Sequence, residues 1–388
     1  MKVSLYYPWV YLKGGAERLI SELITRSRHD WTIFTNHFDR ENTFKEFSKV
    51  PVVELKRVSV KREISEVLKA TLLIAGQKIP AKDFDARCVV IDSIGSFINV
   101  KNKDLPVFSI CLTPLRLVYD PHYSKHYHAR KKGKEHPVLT GGKSVFRFFD
   151  RMCWQHYGKV FCISGEVKNR VSSAGIIDHQ KLQVVYPGVN LDFYKPGEGA
   201  SEQYFLLPGR IMWTKNIELG IDAFRLFCEK NKGFELRIAG IVDAKSQEYY
   251  DMLQKKAEGL PVKFLTKVSD HEMLKLYQNS FAVLFTPFNE DWGFIPLEAM
   301  ACGKPCVAVN RGGPRESVQN GETGLLVDPD PAAFSGAMDK LANDPALVAR
   351  IKTAGLEHVK KFTWAKFVET IDCYIDNIEK KNQQYQKD

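Results

Sequence analysis

The sequence predicts an α/β fold made of two domains with doubly wound, Rossmann-like parallel sheets. Short apolar segments alternate with amphipathic helical segments along the chain. Most of the apolar segments are continuous, which is typical of parallel strands covered by helices on both faces. The chain has 388 residues, and because a domain usually holds about 100–200 residues, this length favours two domains.

The predicted strands form two groups on either side of a polar segment. The N-terminal group comprises Val3–Tyr7, Trp31–Thr35, Cys88–Asp92, Val107–Cys111, Val160–Ile163 and Leu182–Tyr186. The C-terminal group comprises Tyr204–Leu207, Glu235–Ala239, Val262–Leu265, Ala282–Phe285 and Cys306–Val309. Helical periodicity is visible between the strands, for example in Ala16–Arg26, Ile217–Lys230, Gln247–Glu258 and His271–Gln278. Strands and helices that alternate in this way predict doubly wound sheets.

The polar segment from Pro187 to Gln203 has the composition of a linker. It holds Pro187-Gly188 and Lys195-Pro196-Gly197 and few apolar residues. We therefore expect an N-terminal domain over residues 1–190 and a C-terminal domain over residues 200–365. Residues 366–388 begin as an amphipathic helix, which we expect to pack back toward the N-terminal domain.

The composition excludes several classes of protein. A hydrophobic fraction of 44% is ordinary for a folded chain and argues against disorder. No apolar run approaches the length of about 18 residues that spans a bilayer, and the N-terminus lacks the long apolar region of a signal peptide. We therefore expect a cytoplasmic protein. The eight cysteines include no Cys-x-x-Cys pair, which indicates reduced core cysteines without a zinc site.

The net charge of +10 is distributed unevenly along the chain. Residues 1–187 hold 31 basic and 18 acidic side chains, a balance of +13, whereas the remainder has a balance of −3. Such asymmetry indicates an anionic partner for the N-terminal half, namely a membrane surface, a phosphorylated lipid or a nucleic acid.

Candidate ligand loops follow three of the predicted strands, where open α/β sheets bind ligands. The first is Gly14-Gly15-Ala16-Glu17, in which glycines let the backbone approach a phosphate or a sugar closely. A tight turn between a strand and a helix also favours glycine. The Gly-x-Gly-x-x-Gly fingerprint is absent from this loop, which disfavours a nicotinamide or flavin enzyme.

The second loop, residues 207–216, carries two cations, Arg210 and Lys215. A guanidinium fork and a point charge on one turn both suit a diphosphate. Two solvated surface cations are the simpler interpretation of this segment taken alone.

The third loop, residues 285–300, leads into a predicted helix with Pro296 in its first turn. The N–H groups of the segment from Gly293 to Ile295 would then face an anion. Glu290 and Glu298 lie on either side of this helix start, where carboxylates accept hydrogen bonds from vicinal hydroxyls. Taken singly, Glu298 also fits a partner of the helix dipole and Glu290 a solvated loop acid.

Together these loops resemble the motifs of glycosyltransferase family 4. The stretch from Glu290 to Glu298 followed by residues 299–305 is similar to that family's signature. The other segments that match are Gly14-Gly15-Ala16-Glu17, Gly209-Arg210, Lys215-Asn216, 264–270, 310–318 and 321–327. The resemblance is dense in the C-terminal domain and sparse in the N-terminal domain.

The resemblance implies a GT-B fold, in which two facing Rossmann-like domains bind the substrates. The N-terminal domain would bind the acceptor and the C-terminal domain the nucleotide sugar. Members of the family transfer a sugar from a nucleotide diphosphate donor with retention of configuration, and they need neither a metal nor another cofactor. The closest likeness is to mannosyltransferase-type members.

Carried over residue by residue, the resemblance also implies roles in the site. Arg210 and Lys215 would neutralise the leaving diphosphate, and Glu290 would contact the donor sugar, so these three form the implied catalytic set. The implied donor-binding residues are Gly15, Val268 (through its backbone, to the base), Gly293, Phe294, Ile295 and Glu298 (to the ribose). The implied sugar or acceptor pocket comprises Gly14, Leu112, Arg116 and Asp120.

One position departs from the family's pattern. Residues 109–120 resemble a segment that normally reads Cys-His-Thr-Pro-x-Arg, but Leu112 stands in place of the histidine. That histidine lies beside the 6-hydroxyl of the donor sugar in family members. Another residue supplies the contact, the donor lacks a 6-hydroxyl, or activity is lost; we favour a 6-deoxy or pentose donor, because leucine fits a methyl group.

A basic segment, His122–His136, follows and includes Lys125, Arg130, Lys131, Lys132 and Lys134. It is either a solvated loop or a segment that docks on anionic headgroups and approaches a lipid-linked acceptor. No nucleic-acid recognition module accompanies the charge. We therefore expect a cytoplasmic protein that associates peripherally with the inner face of the membrane.

The sequence thus favours a retaining glycosyltransferase that builds a lipopolysaccharide, O-antigen or other surface polysaccharide on a lipid carrier from a GDP-linked donor. A UDP-linked donor is the main alternative. A sugar-nucleotide epimerase of the same fold would convert the donor without an acceptor. A degenerate binding or scaffold subunit, which Leu112 alone favours, would turn nothing over.

Overall fold

The protein is described here from a computed structural model that covers residues 1–60, 63–130 and 137–385. The chain divides into two compact units. The first unit contains Met1–Gly188 together with the chain from Trp364 onward, and the second contains Val189–Thr363. Each unit is built around one parallel sheet.

The sheet of the first unit has seven strands in the order β3-β2-β1-β4-β5-β6-β7. The strands are β1 (Lys2–Tyr6), β2 (Asp30–Thr35), β3 (Val52–Glu54), β4 (Ala86–Ser93), β5 (Val107–Pro114), β6 (Tyr157–Cys162) and β7 (Leu182–Val184). Neighbouring strands pair in parallel throughout, with Leu5 opposite both Ile33 and Cys88. The direction of the strand order reverses between β1 and β4, which makes this the switch point of the sheet.

In the described part of this unit, six helices connect these strands. They are α1 (Gly15–Arg26), α2 (Ile64–Ala75), α3 (Arg116–Tyr119), α4 (Pro121–Arg130), α5 (Pro137–Trp154) and α6 (Gly165–Ala174). From β1 to β3 the chain adds strands toward one edge of the sheet, and from β4 onward it adds them toward the other edge. Because the crossovers are right-handed, α1 lies on one face of the sheet and α2, α5 and α6 lie on the other. Both α2 and α5 pack against a short 3₁₀ segment, Gly95–Val100, on that second face.

The second unit holds a six-stranded parallel sheet in the order β10-β9-β8-β11-β12-β13. The strands are β8 (Tyr204–Pro208), β9 (Glu235–Ala239), β10 (Val262–Leu265), β11 (Ala282–Phe285), β12 (Cys306–Val309) and β13 (Leu325–Val327). The helices are α7 (Ile217–Lys230), α8 (Gln247–Lys256), α9 (Asp270–Asn279), α10 (Phe294–Ala301), α11 (Pro314–Ser317), α12 (Pro331–Asn343) and α13 (Pro345–His358). Aromatic rings fill part of the core, where the ring of Phe205 lies 5.1 Å from Phe227 and 5.5 Å from Phe234.

The terminal helix α14 (Trp364–Tyr385) packs on the first unit. Asp372 is buried and accepts hydrogen bonds from the Ser27 hydroxyl at 2.6 Å and the Arg28 N–H at 3.0 Å. The Arg28 guanidinium also pairs with Asp376 at 2.5 Å. On the same helix, the ring of Tyr374 lies 5.5 Å from the rings of Phe108 and Phe161.

The predicted fold class is confirmed, since both sheets are parallel and each reverses its strand order near its centre. Two three-residue strands, β3 and β13, were not predicted, because segments this short carry little periodic signal. The solvated-loop interpretation, one of the two offered for His122–His136, is wrong for residues 122–130, because they belong to helix α4. Residues 131–136, with Lys131, Lys132 and Lys134, lie outside the described residues.

A buried carboxylate joins helix α5 to α3 and to the 3₁₀ segment Gly95–Val100. Asp150 on α5 accepts hydrogen bonds from the Ser96 hydroxyl at 2.5 Å, the Trp154 indole N–H at 3.0 Å and the Tyr119 hydroxyl at 2.9 Å. Burial raises the pKa of Asp150 to about 6, although the three donors act in the opposite direction. The folded state therefore holds a proton here at pH values where the unfolded chain has released it.

We expect Asp150→Asn to become more stable relative to the wild type as the pH rises from 4 to 7. A carboxyl group whose pKa is raised in the folded state stabilises the fold at low pH, and that contribution is lost as the pH passes the folded pKa. The difference in unfolding free energy should shift by about 3 kcal/mol toward the variant. Urea unfolding at several pH values measures it, with the exposed Asp104→Asn variant as the background. A difference that does not change with pH would contradict the raised pKa.

Candidate functional site

The candidate site of the second unit lies where its strand order reverses, between β8 and β11. The connections from these adjacent strands leave toward opposite sides of the sheet, so a crevice opens between the loops that follow them. The loop after β8 carries Arg210 and Lys215, and the loop after β11 carries Glu290. The fold therefore brings together two loops that are about 75 residues apart in sequence.

Hydrogen bonds to backbone carbonyls hold the two loops together. The Thr286 hydroxyl donates to the carbonyl of Lys215 at 2.8 Å, and the Phe288 N–H donates to the carbonyl of Thr214 at 3.2 Å. Asn216, which is buried, adopts a left-handed conformation with φ +50° immediately before α7. This uncommon conformation for a non-glycine residue ends the turn and starts the helix.

Opposite charges meet across the crevice. The Lys215 Nζ lies 2.6 Å from the Glu290 Oε2, and both side chains are partly exposed. A pair of this kind contributes at most about 1 kcal/mol, so an anionic ligand can compete for the lysine. Arg210 is exposed, and within the described part of the chain its side chain has no hydrogen-bond or ion-pair partner. The crevice thus offers two cations to an anion.

Glycines allow the loops around the start of α10 to pack closely. Gly293 has φ +90°, and a β-carbon there would lie 3.0 Å from the ring of Phe285. A β-carbon at Gly313, in the loop after β12, would overlap the backbone of Trp292. The N–H of Gly313 donates to the carbonyl of Glu290 at 2.8 Å, which fixes the loop that carries this glutamate.

Helix α10 begins at Phe294, directly after Gly293, and no side chain caps it. Pro296 lies in the first turn, as predicted, where its missing N–H costs no intrahelical hydrogen bond. A β-carbon added at Gly209 would lie 3.4 Å from the Ile295 side chain, so the start of α10 packs against this glycine. The helix N-terminus, which favours anions, therefore adjoins the loop that carries Arg210.

Glu298 is buried one turn further along α10. The Tyr277 hydroxyl on α9 donates to its Oε2 at 2.7 Å. Tyr277 is itself fully buried, which raises the pKa of its phenol well above the ordinary value. The ring of Tyr194 packs edge-on against Tyr277 at 5.8 Å. The Tyr277 hydroxyl therefore holds the Glu298 carboxylate in one orientation.

Val268 lies half-buried in the loop between β10 and α9. Ser269 caps α9 and forms a reciprocal capping box with Glu272, which fixes the end of this loop. A cavity of about 530 Å³ adjoins it and is lined by residues 264–268, parts of α9, and Arg237. The Arg237 guanidinium stacks over the Tyr204 ring at 3.7 Å.

In the first unit, Gly14 precedes α1 and Gly15 is its first residue. A β-carbon at Gly14 would lie only 2.5 Å from Leu12 and 2.6 Å from the carboxylate of Glu17. Glu17 is buried beneath this turn. A side chain at this position would have to displace Leu12 or Glu17, so close packing favours glycine here, which is the simpler of the two interpretations of this loop.

Leu112 is buried near the carboxyl end of β5. The neighbouring segment forms a buried ion-pair cluster, in which Asp120 pairs with Arg116 at 2.9 Å and with Arg170 at 3.3 Å. Burial alone would raise the pKa of Asp120, but Arg116 and Arg170 hold it below its ordinary value. The Asp120 carboxylate also accepts the Tyr123 N–H at 2.9 Å, which starts α4.

Residues 190–358 match the family described as "Glycosyl transferases group 1". By this match the chain is similar to glycosyltransferases of the family 4 type. The predicted resemblance is confirmed, and the fold class of the chain is GT-B.

Two mammalian proteins illustrate the sequence similarity of this chain. Alpha-1,3/1,6-mannosyltransferase ALG2 of Homo sapiens is 33% identical over 224 residues, which cover 52% of this chain and 54% of the human protein. ALG2 of Mus musculus is 27% identical over 407 residues, which cover 94% of each protein. In the human alignment the chain spans about half of its relative's length, whereas in the mouse alignment it spans nearly all of it.

Solved structures show the same fold at low sequence identity. Anabaena HepE, crystallised with UDP and glucose, has a TM-score of 0.72 and 17% identity, and the match covers 97% of this chain and 99% of that one. Sucrose-phosphate synthase from Thermosynechococcus elongatus has a TM-score of 0.73 and 16% identity, with both chains covered in full.

The structure brings most of the implied donor-site residues of the second unit into one region. Lys215, Glu290 and the start of α10 lie at the crevice, whereas Val268 lies beside the separate cavity at β10. Sequence reasoning missed Tyr277, which orients Glu298, and Arg170, which completes the Asp120 cluster. Neither has a local sequence signal, because each reaches its partner only through the tertiary fold.

We expect Tyr277→Phe to weaken nucleotide binding through Glu298. Losing the phenol hydroxyl leaves a buried carboxylate with one hydrogen bond fewer, at a cost of about 1 kcal/mol, or about fivefold in affinity. Kinetics with a nucleotide sugar should show a raised donor KM and a nearly unchanged kcat. Tyr250→Phe on α8, whose hydroxyl accepts only an exposed hydrogen bond from Gln254, is the matched control. Equal effects of both variants would contradict the orienting role.

Proposed function

We propose that this protein is a glycosyltransferase that transfers a sugar from a nucleotide diphosphate donor, with retention of configuration and without a metal, to a lipid-linked or growing surface-glycan acceptor. The observation that carries the proposal is the crevice between β8 and β11. There Lys215 faces Glu290 at 2.6 Å beside the N-terminus of α10, the helix that also holds Glu298.

The charges of the crevice suit the chemistry of this transfer. Breaking the bond between the sugar and the diphosphate builds negative charge on the leaving group. Arg210 and Lys215 would stabilise that charge, together with the N–H groups at the start of α10, and preorganised groups of this kind act without reorganisation during the reaction. In this proposal the two cations do the work that a metal ion does in other transferases.

The two glutamates would divide the remaining binding between them. When a bound diphosphate pairs with the Lys215 ammonium, the Glu290 carboxylate loses that partner and can accept hydrogen bonds from the hydroxyls of the donor sugar. Glu298, held by Tyr277 at 2.7 Å, would accept hydrogen bonds from the ribose, for which a carboxylate with two acceptor oxygens is well suited. The backbone at Val268 would contact the base.

A GDP-linked hexose is the donor we favour. The relatives in human and mouse are named mannosyltransferases, which supports a hexosyl donor of the mannose type. A UDP-linked donor is the alternative, since the Anabaena structure contains UDP. Leu112, which stands where the family has a histidine beside the donor sugar, supports a donor without a 6-hydroxyl.

The first unit supports an anionic acceptor or surface. Its basic charge is accompanied by a cavity of about 390 Å³ between α3, α4 and α5. Lys125, Lys143, Arg147 and His128 line this cavity, and none of its lining residues is acidic. Among the described residues no helix is long and apolar enough to cross a membrane. We propose peripheral association with the cytoplasmic face of a membrane, where a lipid-linked acceptor would be reached.

Thermal unfolding with GDP, UDP, ADP and CMP tests the donor class. A nucleotide at 100 times its Kd stabilises a protein by about 2.7 kcal/mol, and we expect GDP to give the largest shift. Lys215→Ala should weaken that binding about tenfold or more, because it removes a charge-assisted contact to the diphosphate. Lys232→Ala, an exposed lysine that hydrogen-bonds the Cys228 carbonyl, should leave it unchanged.

Other outcomes of this panel separate the alternatives. Stabilisation by UDP alone would overturn the GDP assignment but keep the transferase. No stabilisation by any nucleotide would instead favour the degenerate scaffold. Conversion of a nucleotide sugar without any acceptor would identify an epimerase.

The role of Leu112 is tested with GDP-mannose and its 6-deoxy counterpart. We expect the 6-deoxy donor to bind several-fold more tightly, because an apolar side chain leaves a 6-hydroxyl without a hydrogen-bond partner. Leu112→His should reverse the preference, whereas the similarly sized Leu112→Met should keep it. Calorimetric Kd values for the two donors measure the ratio. Equal or tighter binding of GDP-mannose by the wild type would refute this explanation of Leu112.

A further inference from the structure

An apolar stripe runs along the outer side of helix α5. Its members are Val145, Phe148, Phe149 and Met152, and each is more than half exposed. They follow one another at helical spacing, so they lie on one face. The inner side of the same helix is ordinary core, where Phe146 contacts the ring of Phe97 at 5.3 Å and Asp150 is buried. Four large apolar side chains on one exposed helix face are unusual for a surface that contacts only water.

The charges around this stripe have one sign. Helices α4 and α5 carry Lys125, Arg130, Lys143, Arg147 and Arg151, and their one acidic residue, Asp150, is buried. An apolar face bordered by cations is the pattern of helices that lie in the interface of anionic membranes. Each basic side chain near such a surface adds to the attraction.

A second helix of the same layer presents apolar residues as well. Leu68 and Leu72 lie one turn apart on α2 and are 54% and 76% exposed. Helices α2 and α5 cover the same face of the first sheet and pack against the same 3₁₀ segment, Gly95–Val100. Val100 within that segment is also exposed. The apolar residues therefore belong to the outer side of one helical layer, not to an isolated helix.

We propose that the apolar stripe of α5, supported by Leu68 and Leu72 on α2, inserts into the interface of an anionic lipid bilayer. This inference rests on the proposed function, which includes peripheral association with a membrane, and it names the surface that docks. The charge pattern selects the occupant. A second copy of this chain docked on the same face would bring two sets of cations together, whereas anionic headgroups complement them.

Sedimentation of the 388-residue chain with vesicles tests the proposal. Vesicles of phosphatidylcholine with phosphatidylglycerol are compared with vesicles of phosphatidylcholine alone. We expect the wild type to bind the anionic vesicles more tightly, and Phe148→Ser with Phe149→Ser to weaken that binding by about tenfold for each phenylalanine. At high salt, where the cations are screened, the residual binding of the wild type should be absent from the double variant.

A pair of methionine variants provides the matched control. Met152→Ser should weaken vesicle binding, whereas Met252→Ser, on the surface of α8 in the second unit, should leave it unchanged. Nucleotide-induced thermal stabilisation is recorded for every variant, and because the stripe is exposed it should match the wild type. That readout shows that the variants are folded and retain the nucleotide site.

The possible results separate this proposal from the one it rests on. A wild type that binds no vesicles while a nucleotide still stabilises it would end the membrane assignment and leave the transferase. Unchanged binding by both stripe variants would overturn the stripe and leave docking through other cations. A dimer in analytical ultracentrifugation that dissociates in the double variant would show that a second copy of the chain covers this face.

Discussion

The reversal of strand order between β8 and β11 is the constraint on which the candidate site depends. Because the connections from these two strands leave on opposite sides of the sheet, their loops face one another without competing for space. The loop from β8 supplies cations and the loop from β11 supplies Glu290 and the start of α10. Thr286 joins them by donating to the Lys215 carbonyl at 2.8 Å. The strand order of the sheet therefore determines where the site lies, and the side chains determine its chemistry.

In both units, an uncommon backbone conformation lies beside the point where the strand order reverses. Among the described residues, the two non-glycine residues with left-handed φ are Ser93, at the end of β4, and Asn216, in the loop after β8. Each follows or ends a strand that borders the switch point of its sheet. Such conformations cost of order 1–3 kcal/mol and persist only where the surrounding structure enforces them. The two switch points are thus the places where each unit departs from relaxed backbone geometry.

Much of the fold could be predicted from the sequence, because continuous apolar segments and amphipathic helices are local patterns. The same is true of Arg210, Lys215, Glu290 and Glu298, which resemble family motifs. What could not be predicted is how these groups are held, since the Tyr277 hydroxyl reaches Glu298 across 21 positions of sequence. Helix α4 was missed because its histidines and tyrosines give no apolar periodicity. The pattern of exposed residues on α5 likewise required the fold, as a core helix has the same apolar composition.

The Lys215–Glu290 ion pair and the Glu298 carboxylate differ in burial, and this difference bears on how the site works. Lys215 and Glu290 are partly exposed, so their pairing is weak and can be exchanged for a ligand. Glu298 is buried and hydrogen-bonded by a buried tyrosine, so moving it would leave unsatisfied polar atoms at a cost of about 1–3 kcal/mol. A rigid carboxylate therefore stands beside an exchangeable ion pair. That arrangement suits a nucleotide sugar, in which the nucleoside does not change while negative charge develops on the diphosphate. The fixed carboxylate would bind the nucleoside, and the exchangeable pair would respond to the charge of the diphosphate.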